Sequence, residues 1–113
     1  MEWLFSYGTL QKTKVQLDLF DRILQGSPDD LKGYKIAPIE IRDEAFLSTG
    51  EQKEQRIAIR SGNEKDIIHG TVFEVTEEEL FLADSYEPLD YKRIMVLLES
   101  GKEAWIYAAF ETT

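Results

Sequence analysis

Three short segments hold the residue types from which chemistry could be built. Asp84-Ser85-Tyr86-Glu87 sets two carboxylates three positions apart, so they share a face wherever the segment is helical. Neighbouring carboxylates raise one another's proton affinity and burial adds to the effect, and a carboxylate raised in this way can act as a general base near neutral pH. Tyr7-Gly8-Thr9-Leu10 follows an apolar run. A glycine at a strand end lets the chain turn sharply and gather successive backbone N–H groups, which can hold a carboxylate or a developing oxyanion. Tyr91-Lys92-Arg93 puts Tyr91 and Arg93 on one face of a strand, where Arg93 could pair with Asp84 or Glu87 or grip a substrate carboxylate through two hydrogen bonds. Each segment also has a plainer reading: a solvated acidic helix end, an ordinary turn, a surface cation. His69 reads as a partly exposed sheet residue, and Trp3, Trp105, Tyr107 and Phe110 as packing residues.

These segments need elements to hold them. Trp3 to Tyr7 reads as a strand with Trp3, Phe5 and Tyr7 on one face. Thr13 and Gln16 suit a capping box opening a helix with an apolar stripe of Val15, Leu19, Phe20, Ile23 and Leu24, stopped by Gly26-Ser27-Pro28. Ile23 to Gln25 could equally begin a strand. Gly33 to Ile41 looks extended and, because Pro38 cannot donate to a ladder, edge-like or broken. Residues 42–55 read as an exposed loop, Arg56 to Arg60 as a half-buried strand, and Asp66 to Val75 as a strand whose internal Gly70 signals close backbone approach or a bulge. Thr76 and Glu79 form a second capping box. Its helix must end before Pro88, which leaves Glu87 extended at the exit. Lys92 to Leu98 and Glu103 to Phe110 flank Ser100-Gly101 as a hairpin. The order lacks regular strand–helix alternation and predicts an α+β fold: a small mixed or antiparallel β-barrel with flanking helices.

The bulk numbers narrow the chemistry. A length of 113 residues suits one domain spanning 1–113. Net charge of −9 with no run of basic residues longer than two disfavours nucleic acid and anionic membrane as partners. The absence of cysteine excludes a thiol nucleophile and a thiolate metal site, and one histidine excludes a multi-histidine site. No apolar run approaches a membrane span and no signal-peptide pattern opens the chain, so the expected location is the cytoplasm.

Taken together, LFSYGTLQ, IHGTVFEV, LADSYEPLDYKR and the aromatic closing hairpin resemble the γ-glutamylcyclotransferase-like family, which includes plant avirulence-induced proteins and small bacterial members. The resemblance runs from residue 3 to about 110. It departs at Pro88, where the family often has glycine, and over 38–50 (PIEIRDEAFLSTG), which lacks a Tyr-Pro-Gly-like segment. The resemblance implies a small β-barrel and release of a γ-glutamyl group as 5-oxoproline, without metal or cofactor. It implies Glu87 as the catalytic acid/base and Tyr7, Gly8, Thr9 and Leu10 as the loop holding the glutamyl moiety. Tyr91 and Arg93 join the expected substrate contacts. Two other readings stay open: a non-catalytic module binding a small γ-glutamyl-like or other anionic ligand, and an interaction protein using its acidic surface. The catalytic reading requires the loop to open onto a cavity that Glu87 also lines.

Overall fold

The computed structural model describes residues 1–110. Seven strands form one sheet: β1 (Glu2–Ser6), β2 (Gly26–Lys32), β3 (Tyr34–Glu40), β4 (Glu54–Arg60), β5 (Ile67–Val75), β6 (Tyr91–Leu97) and β7 (Glu103–Ala109). Three helices join them: α1 (Thr13–Phe20), α2 (Glu44–Leu47) and α3 (Glu77–Tyr86). A 3-10 turn, Thr9–Gln11, links β1 to α1.

The strands run in the order β2-β5-β1-β7-β4-β3, with β6 paired to β7. β2 and β3 thus end opposite sides of the path, yet only Gly33 separates them in sequence. The sheet must therefore curl, and Gly33 closes the curl. Its N–H donates to the Asp66 carbonyl at 2.9 Å, and its carbonyl accepts from Ser61 at 2.8 Å and Gly62 at 3.1 Å. A φ of 83° places Gly33 in the left-handed region, where a side chain is disfavoured. The result is a half-barrel.

Strand alternation makes two cores. Phe5 and Tyr7 pack with Leu31, Val72 and Ile106 on one face of the curled sheet. Leu4 turns the other way and joins Val15 and Phe20 of α1 and Leu80 and Ala83 of α3. β1 lies inside the sheet, antiparallel to β5 and parallel to β7. Gly70 is a close approach: a Cβ there would sit 2.5 Å from the Ser6 carbonyl oxygen and 2.7 Å from Phe5.

β7 departs from simple pairing in a way that matters for the site. Its one edge runs along β6, while its other meets β1 at Leu4–Trp105 and then β4 at Ala58–Ala108. Tyr7 bridges this fork. Its buried hydroxyl donates to the Tyr107 carbonyl at 2.7 Å and accepts from the Ala58 amide at 2.9 Å.

The Thr76–Glu79 capping box forms as expected, and Glu87 closes α3 in an extended conformation (φ −68°, ψ 139°). The first capping box does not form. Lys12 is the N-cap of α1 and makes no side-chain cap. Gln16 instead turns inward, donating to the Leu10 carbonyl at 2.9 Å and accepting from the Leu24 amide at 2.9 Å. α1 also stops earlier than its stripe suggests, at Asp21, whose φ is 58°. Gly26-Ser27-Pro28, expected to stop a helix, instead opens strand β2. Its Gly-Ser-Pro-Asp-Asp composition is strand-poor, but β5 supplies the pairing register and Pro28 costs little on an edge. Residues 42–55 are not wholly irregular: Asp43 caps α2, which buries Phe46. Phe110 lies beyond β7 and is 58% exposed, so it is no packing residue.

Candidate active site

The 3-10 turn draws the loop after β1 into a fixed shape, with Gln11 N–H bonded to the Gly8 carbonyl at 3.1 Å and Lys12 N–H to the Thr9 carbonyl at 3.0 Å. The Gly8 amide reaches Ser6 Oγ at 3.3 Å. No described residue accepts from the amides of Thr9 and Leu10, so they remain available as donors. Gly8 has φ −131°, and a Cβ at this position would meet nothing within 4 Å. What its glycine contributes is an open wall rather than a left-handed turn.

Tyr7, Gly8, Thr9, Leu10, Glu87 and Tyr91 line one cavity of about 30 Å³. Six of the seven residues expected at the site therefore come together. The seventh, Arg93, does not line this cavity. Its guanidinium bonds Asp84 at 2.8 and 3.1 Å and lies 4.4 Å from the Trp105 ring centre. Asp84 is spent on this cation and on the Tyr107 hydroxyl, 2.6 Å away.

Burial pushes the Glu87 carboxyl up to about 8. The neighbouring carboxylate is not the cause, contrary to the sequence expectation: Asp84 is already neutralised by Arg93. The surroundings explain the shift. The charge of Glu87 raises the pKa of Tyr7, Tyr86, Tyr91 and Tyr107, which marks four tyrosines around it. Every one of their hydroxyls is engaged elsewhere: Tyr7 with Tyr107, Tyr86 with Thr9 at 2.8 Å, Tyr91 with the Arg56 carbonyl at 2.9 Å, Tyr107 with Asp84. Glu87 thus loses water without gaining a donor, and the neutral acid is favoured. No described buried side-chain oxygen is sealed off without a partner, so the Glu87 carboxyl keeps contact with the cavity.

Six further residues line the cavity without having been expected there, Phe5, Ser6, Phe46, Gln55, Arg56 and Tyr107, and three of them bear on its chemistry. Arg56 donates to the Tyr7 carbonyl and has no carboxylate partner among the described residues. Within RIAIR it looks like any outward strand residue. Phe46 comes from α2, the segment read as loop, and packs edge-on to Tyr86 at 5.4 Å. Tyr107, read as packing, is both: it is buried in the layer beneath the helices and lines the cavity.

A mixed sheet curled into a half-barrel with three helices is the fold shared with γ-glutamyl cyclotransferase-like structures. The chain belongs to the gamma-glutamyl cyclotransferase, AIG2-like family, whose model matches residues 4–112. Similar solved structures include At5g39720.1 from Arabidopsis thaliana (23% identity, TM-score 0.71, covering 96% of this chain and 68% of that one). A gamma-glutamyl cyclotransferase is similar at 15% identity and TM-score 0.69, over 96% of this chain and 66% of that one. The uncharacterized protein PH0828 from Pyrococcus horikoshii is similar at 18% identity and TM-score 0.65, over 99% and 80% of the two chains. This chain therefore spans about two thirds of the length of the first two. No curated protein matches the sequence. Among the described residues, no helix is long and apolar enough to cross a membrane.

Proposed function

We propose that the protein releases 5-oxoproline from a γ-glutamyl amine or γ-glutamyl peptide, with Glu87 as general acid/base. The observation that carries this reading is the shared cavity of Glu87 and the Gly8–Leu10 loop, with Glu87 raised to about 8 by burial. In the reaction the substrate's α-amine attacks its own γ-carbonyl carbon. Both groups belong to one molecule, so the protein only has to fold the glutamyl chain. Glu87 takes the proton that the amine loses as the new C–N bond forms. It returns that proton to the departing nitrogen as the old C–N bond breaks. Such transfer contributes about 10²–10⁴-fold. The Thr9 and Leu10 amides serve the tetrahedral oxyanion, where one donor is worth roughly 10²–10³-fold. Arg56, not Arg93, takes the substrate's α-carboxylate, because it is the cavity cation with no acidic partner.

The test is 5-oxoproline release from a panel of γ-glutamyl amines and peptides, by the wild type and by Glu87→Gln. Turnover of at least one compound is expected, falling by about 10²-fold or more in the variant. Equal activity in the variant would remove Glu87 from the chemistry. The small cavity favours a second reading, a non-catalytic binding module, which predicts binding of a γ-glutamyl compound without 5-oxoproline.

A further inference from the structure

A second and much larger cleft, about 670 Å³, lies on the other side of Tyr86. α1 supplies Val15 and Leu19, and Thr49 to Glu51 follow from the end of α2. The wall between the two spaces is thin. Tyr86 lines the cleft, while its hydroxyl bonds Thr9 and its ring meets Phe46, both of which line the Glu87 cavity. The Thr9–Lys12 loop has Thr9 on one side of this wall and Lys12 on the other.

The chemistry of the cleft is specific. Its floor is apolar: Val15, Leu19 and the Tyr86 ring. Its four charges cancel in pairs, Lys12 with Glu51 at 2.7 Å and Lys14 with Asp18 at 2.8 Å. A ligand of net charge gains nothing from such a rim, whereas an uncharged apolar chain gains from the floor.

We infer that this cleft is the leaving-group site, and that it selects γ-glutamyl compounds whose amine carries an extended, uncharged, apolar body. The inference rests on the function proposed above and names its substrate class. The glutamyl part occupies the tight space at Glu87, and the amine's body crosses Tyr86 to lie against Val15 and Leu19. Cleavage then returns the amine, protonated by Glu87, into the cleft that opens to solvent.

The experiment compares γ-glutamyl methylamide, butylamide and phenethylamide, with γ-glutamylglutamate as the charged counterpart. The methylamide reports the chemistry alone, because its leaving group is too short to reach the floor. The butylamide and phenethylamide should exceed it at least tenfold in kcat/KM, mainly through KM, as expected for buried methylenes. The γ-glutamylglutamate should show no such gain. Leu19→Asp should collapse the butylamide-to-methylamide ratio toward one, and Leu19→Met, which keeps the apolar surface, should preserve it. Equal kcat/KM for methylamide and butylamide, or a ratio untouched by Leu19→Asp, overturns the leaving-group site while leaving the cyclotransferase reading standing. No turnover of any compound, methylamide included, overturns both.

Discussion

The hydroxyls of Thr9 and Tyr86 meet at 2.8 Å, and this bond ties the loop after the first strand to the last residue of α3. Glu87 is the next residue along, so the bond sets the proposed general base beside the loop whose amides are proposed to hold the oxyanion. Removing the Tyr86 hydroxyl should loosen that alignment without removing any group proposed to act on the substrate. Tyr86→Phe is expected to cost about 1 kcal/mol of stability, the ordinary net value of a hydrogen bond. kcat should fall several-fold with little change in KM. An unchanged kcat would show that the loop holds its place without the bond.

The raised pKa of Glu87 links activity and stability to pH. The folded carboxyl titrates near 8, against 4.5 for the ordinary group. Below about 4.5 both folded and unfolded chains carry the proton, and Glu87 has no effect on stability. Between there and about 8 the unfolded chain gives up the proton while the folded one keeps it. Folding stability then falls with rising pH, by up to about 1.4 kcal/mol per unit, and levels off above the folded value. Glu87→Gln should abolish this slope, so its melting temperature should gain on the wild type between pH 5 and 8, about the window of the shift. Over the same range kcat/KM of the wild type should rise as the base form appears. A melting-temperature difference that is flat with pH would contradict the buried carboxyl.

Arg56 should act through the α-carboxylate alone. Arg56→Ala is expected to raise KM by about 10- to 100-fold, the value of a hydrogen bond to a charged group, with a smaller effect on kcat. A substrate analogue lacking the α-carboxylate should be poor for the wild type and no poorer for the variant. If Arg56→Ala instead hurts both compounds equally, the residue supports the Tyr7 carbonyl and not the ligand.

Gln16 tests the support of the loop from behind. Its amide joins the Leu10 carbonyl to the Leu24 amide inside the protein. Gln16→Leu leaves both backbone groups without this partner, at about 1–3 kcal/mol each. Chemical denaturation should show a loss of about 2 kcal/mol or more. A variant as stable as the wild type would mean that water replaces the amide.

What could be read in the sequence shares one property: it is local. The Thr76–Glu79 capping box closes over one helical turn, and both its bonds are present. Pro88 acts on the residue before it, and Glu87 is extended as that rule demands. The β6–β7 hairpin follows from turn chemistry, and the split of Leu4 from Phe5 and Tyr7 into two separate cores from a period of two. The motifs around Gly8, Gly70 and Glu87 sufficed to suggest the family that the match over residues 4–112 shows.

What the sequence left undetermined was each case in which two distant segments compete for one group. Gln16 could cap its own helix or bridge Leu10 and Leu24, and burial of those backbone groups decided for the bridge. Gly26 to Lys32 has no strand propensity of its own and becomes β2 because β5 offers it a ladder. The sequence offered Arg93 to a substrate carboxylate and gave no sign of Arg56. Only the tertiary structure commits Arg93 to Asp84 and leaves Arg56 facing the cavity. The proton affinity of Glu87 was decided the same way. Sequence spacing pointed to a neighbouring carboxylate, but the shift comes from a ring of tyrosines whose hydroxyls are all bonded elsewhere. Desolvation depends on everything packed around a group, and no pattern along the chain records that.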